Sequence, residues 1–156
     1  NGIDESNRKK LFAIAKKYGR NIIFLNNLDI QKMADTKIKV GRWNISTFYR
    51  LFLGSILPKT VDKVIYIDCD MIILHSLKDV WEMDMKGNFS MGADDCRGGN
   101  YRINIGLDPE NIYINNGFLL IDLKSWRDNN IEKKYSIRYL STDDNFELSC
   151  IYIYFK

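Results

Sequence analysis

One segment constrains the fold of this chain more than any other. It is Val61-Asp62-Lys63-Val64-Ile65-Tyr66-Ile67, which runs straight into Asp68-Cys69-Asp70. β-Branched and aromatic residues dominate it and Pro58 stands just before it, so it reads as a strand inside a sheet. A second apolar run, Met71 to Leu74, follows at once. In open α/β sheets, ligands sit beyond the carboxyl ends of strands. If the backbone stays extended through 68–70, the side chains of Asp68 and Asp70 point the same way. They then share one hard divalent cation through oxygen, and such a cation neutralises a diphosphate leaving group. The alternative is a pair of carboxylates that cap a turn and face water. Neighbouring negative charges without a cation or a basic partner cost stability, which favours a ligand.

The rest of the chain alternates between helix and strand patterns, which predicts an α/β class with a mainly parallel sheet. Residues 5–18 place Leu11, Ile14, Ala15 and Tyr18 on one helical face, with Gly19 as the stop. Asn21 to Leu25 is a short apolar run expected as a buried strand, and 26–42 is a polar connection. Ser46 is the expected N-cap of a helix that ends at Leu57-Pro58. A short helix is expected over 76–85, with Leu77, Val80 and Trp81 inward, then a strand over 89–93 ending in Asp94-Asp95. Residues 96–110 are rich in Gly, Asn and Asp and read as an irregular loop. A strand over 113–123 and a two-piece helix over 124–139 follow. The chain has 156 residues, 46% hydrophobic and 13% aromatic, enough for one domain with a real core.

Charge excludes one class of partner. Lys+Arg number 23 against 20 Asp+Glu, a net +3 with no basic cluster large enough for nucleic acid. Arg8-Lys9-Lys10 and Lys16-Lys17 suit solvated helix faces. The alternative is weak peripheral attachment to an anionic membrane surface. Cys69, Cys96 and Cys150 are odd in number and lack metal-type spacing, so reduced thiols in a cytoplasmic protein are expected, at most peripheral to the inner face of the cell membrane. Neither a signal peptide nor a transmembrane run is present, although the chain opens at Asn1-Gly2 and a native N-terminus upstream is expected. The wealth of Ile, Asn and Lys is of the kind an AT-rich bacterial genome encodes.

Asn115-Asn116-Gly117 interrupts an otherwise apolar strand. Gly within a strand marks the close approach of a ligand or another backbone, and Asn can donate to and accept from sugar hydroxyls. A β-bulge with no ligand explains it equally well. Arg50 stands on the polar side of its helix, and a guanidinium suits phosphate, although an ordinary exposed arginine fits the same position. His75, the single histidine, is not promoted to a metal ligand.

Several of these runs resemble glycosyltransferase family 8, which includes bacterial lipopolysaccharide galactosyl- and glucosyltransferases and glycogenin. They are Ser46-Thr47-Phe48-Tyr49-Arg50-Leu51, Asp62 to Asp70, Leu77-Lys78-Asp79-Val80-Trp81 and Tyr113 to Trp126. Their order and spacing are kept over residues 5–140. The resemblance implies a GT-A fold and retaining transfer of glucose or galactose from a UDP-sugar to a saccharide or glycolipid acceptor, aided by Mn²⁺ or Mg²⁺. By position, it makes Asp68 and Asp70 metal ligands, with Asp68 also near the ribose. Arg50 would contact the donor, Asn115 and Asn116 would lie at the reacting centre beside Gly117, and Asp94 and Asp95 would surround the sugar.

Departures from the family pattern shape a narrower expectation. The strand that holds uracil and ribose has no counterpart here, nor does the acidic-glutamine-acidic segment, and the chain closes on Phe146-Glu147-Leu148 and a tail over 141–156 that fits no family motif. The family's third metal ligand, a histidine near its C-terminus, is not matched by His75. The expectation is a partial GT-A domain, truncated at both ends, with an uncovered sheet that invites self-association. It should have two protein metal ligands and little or no turnover alone; robust transfer from UDP-glucose with Mn²⁺ would contradict this. The competing readings are a metal-dependent nucleotidyltransferase, which would prefer nucleoside triphosphates, and a non-catalytic interaction domain, which would bind no nucleotide.

Overall fold

The computed structural model describes residues 3–25, 45–95, 99–104, 108–110 and 112–134. The chain divides into two compact units, Asn1–Lys37 and Ile38–Lys156. In the first, Asp4 accepts from the Asn7 amide at 2.8 Å and caps α1, Glu5–Lys17. The helix stops at Tyr18, and Gly19 takes the left-handed conformation, φ 61°, which a side chain disfavours. The run from Asn21 to Leu25 is not the buried strand its composition suggests: Ile23 is 80% exposed. An apolar run becomes a strand only where another strand pairs with its amides, and none does so among the described residues. Phe24 instead meets Phe12 of α1 edge to face, 5.1 Å between ring centroids, under the guanidinium of Arg8.

Among the described residues, the second unit has three strands, β1 (Lys63–Ile67), β2 (Ser90–Asp94) and β3 (Ile114–Asp122), in the order β1-β3-β2. β3 is antiparallel to both neighbours. This corrects the mainly parallel sheet expected from the alternation of elements. The alternation holds between β1 and β2, which run the same way across a long connection. β3 then threads back between them. Its register runs from Lys63↔Asp122 to Ile67↔Phe118 on one side and begins at Ser90↔Ile121 on the other. Between Gly92↔Leu119 and Asp94↔Ile114 the pairing shifts, and the excess residues belong to β3 at Asn115–Phe118.

Because β3 is central, it is buried on both faces: Leu119 and Ile121 on one, Leu120 on the other. Leu119, Ile121, Leu123, Trp126 and Ile131 form the core, and Leu57, Val61, Val64 and Tyr66 pack against it. Leu123 and Trp126 come from α5 (Leu123–Asp128), which follows β3 without a loop. Its cap is Asp122, whose carboxylate accepts from the Ser125 amide and hydroxyl, each at 2.8 Å. A further helical turn spans 131–134. A 3₁₀ helix, Ile45–Phe52, leads into α2, Leu53–Ile56, so Ser46 lies inside the first turn and is not its cap.

Arg127 ties this helix pair to the sheet. Its guanidinium donates to the carbonyls of Gly54 (2.8 Å), Val61 (2.9 Å), Pro58 (3.1 Å) and Leu57 (3.2 Å). Glu132 accepts from the Ser55 amide at 2.8 Å and from its hydroxyl. Gly54 is needed for that approach, since a Cβ there would stand 2.6 Å from Glu132 Oε1.

Other expectations are narrowed. The helix expected over 76–85 is α3, Lys78–Trp81, and Trp81 is 46% exposed where an inward side chain was expected. The stretch expected as a loop over 96–110 contains α4, Gly99–Asn104. The apolar run after Asp70 faces solvent, with Ile72 and Leu74 each at least 80% exposed. Among the described residues, no helix is long and apolar enough to cross a membrane.

Candidate functional site

The antiparallel course of β3 decides where the candidate residues meet. Asp68 leaves the carboxyl end of β1, and Asp94 closes β2 at the same end of the sheet. Since β3 runs the other way, its amino end, with Asn115-Asn116-Gly117, lies beside them. In an all-parallel sheet that segment would have been at the opposite edge. The Asp68 amide donates to the Gly117 carbonyl at 2.7 Å, and the Asp95 amide donates to the Tyr113 carbonyl at 2.7 Å.

Arg50 reaches this point from the end of the 3₁₀ helix. Its Nη1 donates to the Asn116 carbonyl, and Nη2 donates to Asp68 Oδ1 at 3.2 Å. Its Cζ stands 4.5 Å from the centre of the Tyr66 ring, a cation–π contact. Arg50 is the more enclosed partner of the ion pair, its side chain 12% exposed against 35% for Asp68. It is therefore no ordinary solvated arginine. Tyr66 also donates its hydroxyl to Asp68 Oδ1 at 2.6 Å. Burial, reinforced by that hydrogen bond, pushes the phenol up to about 12.

Gly117 sits in a crevice of oxygen atoms. Its amide donates to Asn115 Oδ1 at 2.8 Å, and Asn115 Nδ2 donates to Asp95 Oδ2 at 3.5 Å. A Cβ on Gly117 would stand 3.0 Å from Asp68 Oδ2 and 3.0 Å from Asn115 Oδ1. The interruption of β3 is thus both a bulge and a close approach. Asp94 faces a different partner, pairing with Arg102 of α4 at 3.3 Å.

Asp70 behaves unlike Asp68. The strand ends at Ile67, residues 69–70 form a turn, and the Met71 amide closes it on the Asp68 carbonyl at 3.3 Å. The extended backbone that would aim both carboxylates to one face is therefore not what relates them. Asp70 is exposed, with no hydrogen bond or ion pair among the described residues. His75 is exposed as well. Tyr66 and Arg102 were missed as members of the cluster. Tyr66 was legible in principle, standing two residues before Asp68 on the same strand face. Arg102 carried no signal, because it lies in a helix set within a stretch whose composition reads as loop.

The family model of "Glycosyl transferase family 8" matches residues 1–151. The chain belongs to glycosyltransferase family 8. The match continues into the segment from 141 on, which carries none of the motifs above. General stress protein A of Bacillus subtilis is 27% identical over 135 residues, 85% of this chain and 46% of that protein. Glycosyltransferase GlyE of Streptococcus pneumoniae is 32% identical over 96 residues, 62% of this chain and 20% of that protein. Among solved structures, galactosyltransferase LgtC, in complex with donor and acceptor sugar analogs, superposes with a TM-score of 0.70 at 32% identity. That superposition covers 91% of this chain and 52% of LgtC. The fold is accordingly GT-A, and the chain spans about half the length of LgtC.

The divalent cation that the family implies can be tested against the donor atoms. Asp68 Oδ2 receives no hydrogen bond among the described residues, and it can approach β3 closely because Gly117 has no side chain. Asp70 adds a second carboxylate. Carboxylate oxygens that carry no hydrogen bond suit a hard cation that takes its other ligands from water and phosphate. No group of three or more His, Cys, Asp and Glu that could hold a metal occurs among the described residues.

Proposed function

We propose that this chain is the donor-binding part of a retaining hexosyltransferase. It would take glucose or galactose from a UDP-sugar and transfer it to a saccharide or glycolipid acceptor, with Mn²⁺ or Mg²⁺ assisting. A place in bacterial cell-surface polysaccharide synthesis, at the cytoplasmic face of the membrane, fits the family resemblance. The observation that carries this reading is the convergence of Arg50, Asp68, Asn115 and Gly117 where the ends of β1 and β3 meet.

Each group then has a task. A divalent cation held by Asp68 and Asp70 would stabilise charge on the departing diphosphate. Arg50 presents a guanidinium to the donor from a partly enclosed position, where its attraction for phosphate is less screened. Asn115 and Asn116 line the sugar side, with Asp95 orienting the Asn115 amide. Asp94 lies at the rim, held by Arg102. In a front-face course, the acceptor hydroxyl attacks from the side the diphosphate leaves and gives its proton to a diphosphate oxygen, so no protein base is needed.

A titration of the purified protein with UDP-glucose and UDP-galactose tests this. Binding should depend on Mn²⁺ and fall at least tenfold in Asp70→Ala, whose thermal midpoint should not move because the side chain is exposed and has no partner among the described residues. Metal-independent binding, or a preference for nucleoside triphosphates, would overturn the reading.

A further inference from the structure

Tyr66 has no task in the proposal above, yet it touches both Asp68 and Arg50. Its hydroxyl and Arg50 Nη2 donate to the same atom, Asp68 Oδ1, at 2.6 and 3.2 Å. The two oxygens of Asp68 are thereby made unlike. Oδ1 carries two donors, while Oδ2 carries none among the described residues and lies close against Gly117, 3.0 Å from where a Cβ would stand. The ring of Tyr66 lies under the Arg50 guanidinium, with 4.5 Å to its centroid, so one side chain steadies both partners of the ion pair.

We propose that Tyr66 is a positioning residue that determines cation preference: it engages Asp68 Oδ1 so that only Oδ2 is offered to a divalent cation. The inference rests on the donor-site reading above. A carboxylate offering one oxygen suits small octahedral cations such as Mg²⁺. Ca²⁺ takes more oxygens in looser geometry and accepts both atoms of one carboxylate. Removing the phenol hydroxyl frees Oδ1 from its shorter hydrogen bond and lets Asp68 rotate or chelate. Mn²⁺ affinity should then fall, and discrimination against Ca²⁺ should fall with it.

The test is Tyr66→Phe, which keeps the ring under Arg50 and removes one oxygen. Mn²⁺ binding is measured by the electron paramagnetic resonance signal of the free ion, and Ca²⁺ binding by competition, with thermal melting of the metal-free protein in parallel. Tyr66→Phe should weaken Mn²⁺ binding about tenfold, the scale of a lost partner to a ligand side chain. Ca²⁺ binding should change less, so that the Mn²⁺-to-Ca²⁺ ratio drops. A variant that binds Mn²⁺ as before, or loses affinity for both cations equally, would show that Tyr66 is merely structural. If the unsubstituted protein binds neither cation, the metal-assisted reading falls and carries this inference with it. Normal binding there with an unchanged ratio in Tyr66→Phe overturns the inference alone.

Discussion

Gly117 shows how much of this site rests on a single missing side chain. Its backbone accepts from the Asp68 amide and donates to Asn115, and its absent Cβ lets Asp68 Oδ2 and Asn115 Oδ1 close in on it. Gly117→Ala puts a methyl at 3.0 Å from two oxygens, closer than packing allows without movement. Overpacking of this kind costs about 1–3 kcal/mol, and the movement falls on the groups proposed to bind. Denaturant unfolding should show a loss in that range, and Mn²⁺-dependent UDP-sugar binding should fall with it; unchanged binding would mean that the crevice is not the site. Much at this scale was readable in the chain itself: carboxylates at a strand end, and an Asn-Asn-Gly interruption. The hydrogen bond from Tyr66 was latent in its spacing from Asp68. The partners of Arg50 were not, since they lie 18 and 66 residues away in sequence.

At the scale of elements, the 3₁₀ helix that carries Arg50, and α2 after it, have little regular structure to hold them in place. Arg127 of α5 supplies much of the tie through bonds to carbonyls of Gly54, Leu57, Pro58 and Val61. Arg127→Met keeps the aliphatic stem and leaves those carbonyls without the guanidinium. These acceptors are only partly buried, so losing their donor should cost about 1 kcal/mol or somewhat more, and the urea midpoint should fall accordingly. Donor affinity should weaken too, because Arg50 loses its fixed approach; a stability loss with intact affinity would show that the two are uncoupled. Composition located most elements but not their ends, because ends depend on partners. β1 stops at Ile67 where β3 turns irregular at Asn115–Phe118. The expected strand at Asn21–Leu25 fails for want of a paired neighbour among the described residues.

The whole molecule exposes an apolar run beside its site. Met71, Ile72, Ile73 and Leu74 are 40%, 84%, 45% and 80% exposed. Side chains so placed contribute little to folding, so the double substitution Ile72→Asp with Leu74→Asp should leave the thermal midpoint nearly unchanged, within about 0.5 kcal/mol per site. Solubility should rise, since contiguous apolar surface favours association. A large drop in the midpoint on circular dichroism melting would show that the run is packed in solution.

By itself the sequence determined which groups this protein can bring to a reaction, because side-chain chemistry and the place of Asp68 at the end of an apolar run are local properties. It also determined the family, through the order of several motifs. Which of those groups meet was decided by tertiary structure. β3 lies antiparallel between β1 and β2, so its amino end reaches the carboxyl ends of both. Nothing local in residues 113–123 specifies that direction. It follows from where the strand finds paired edges and from the core that Leu119, Ile121, Leu123 and Trp126 complete.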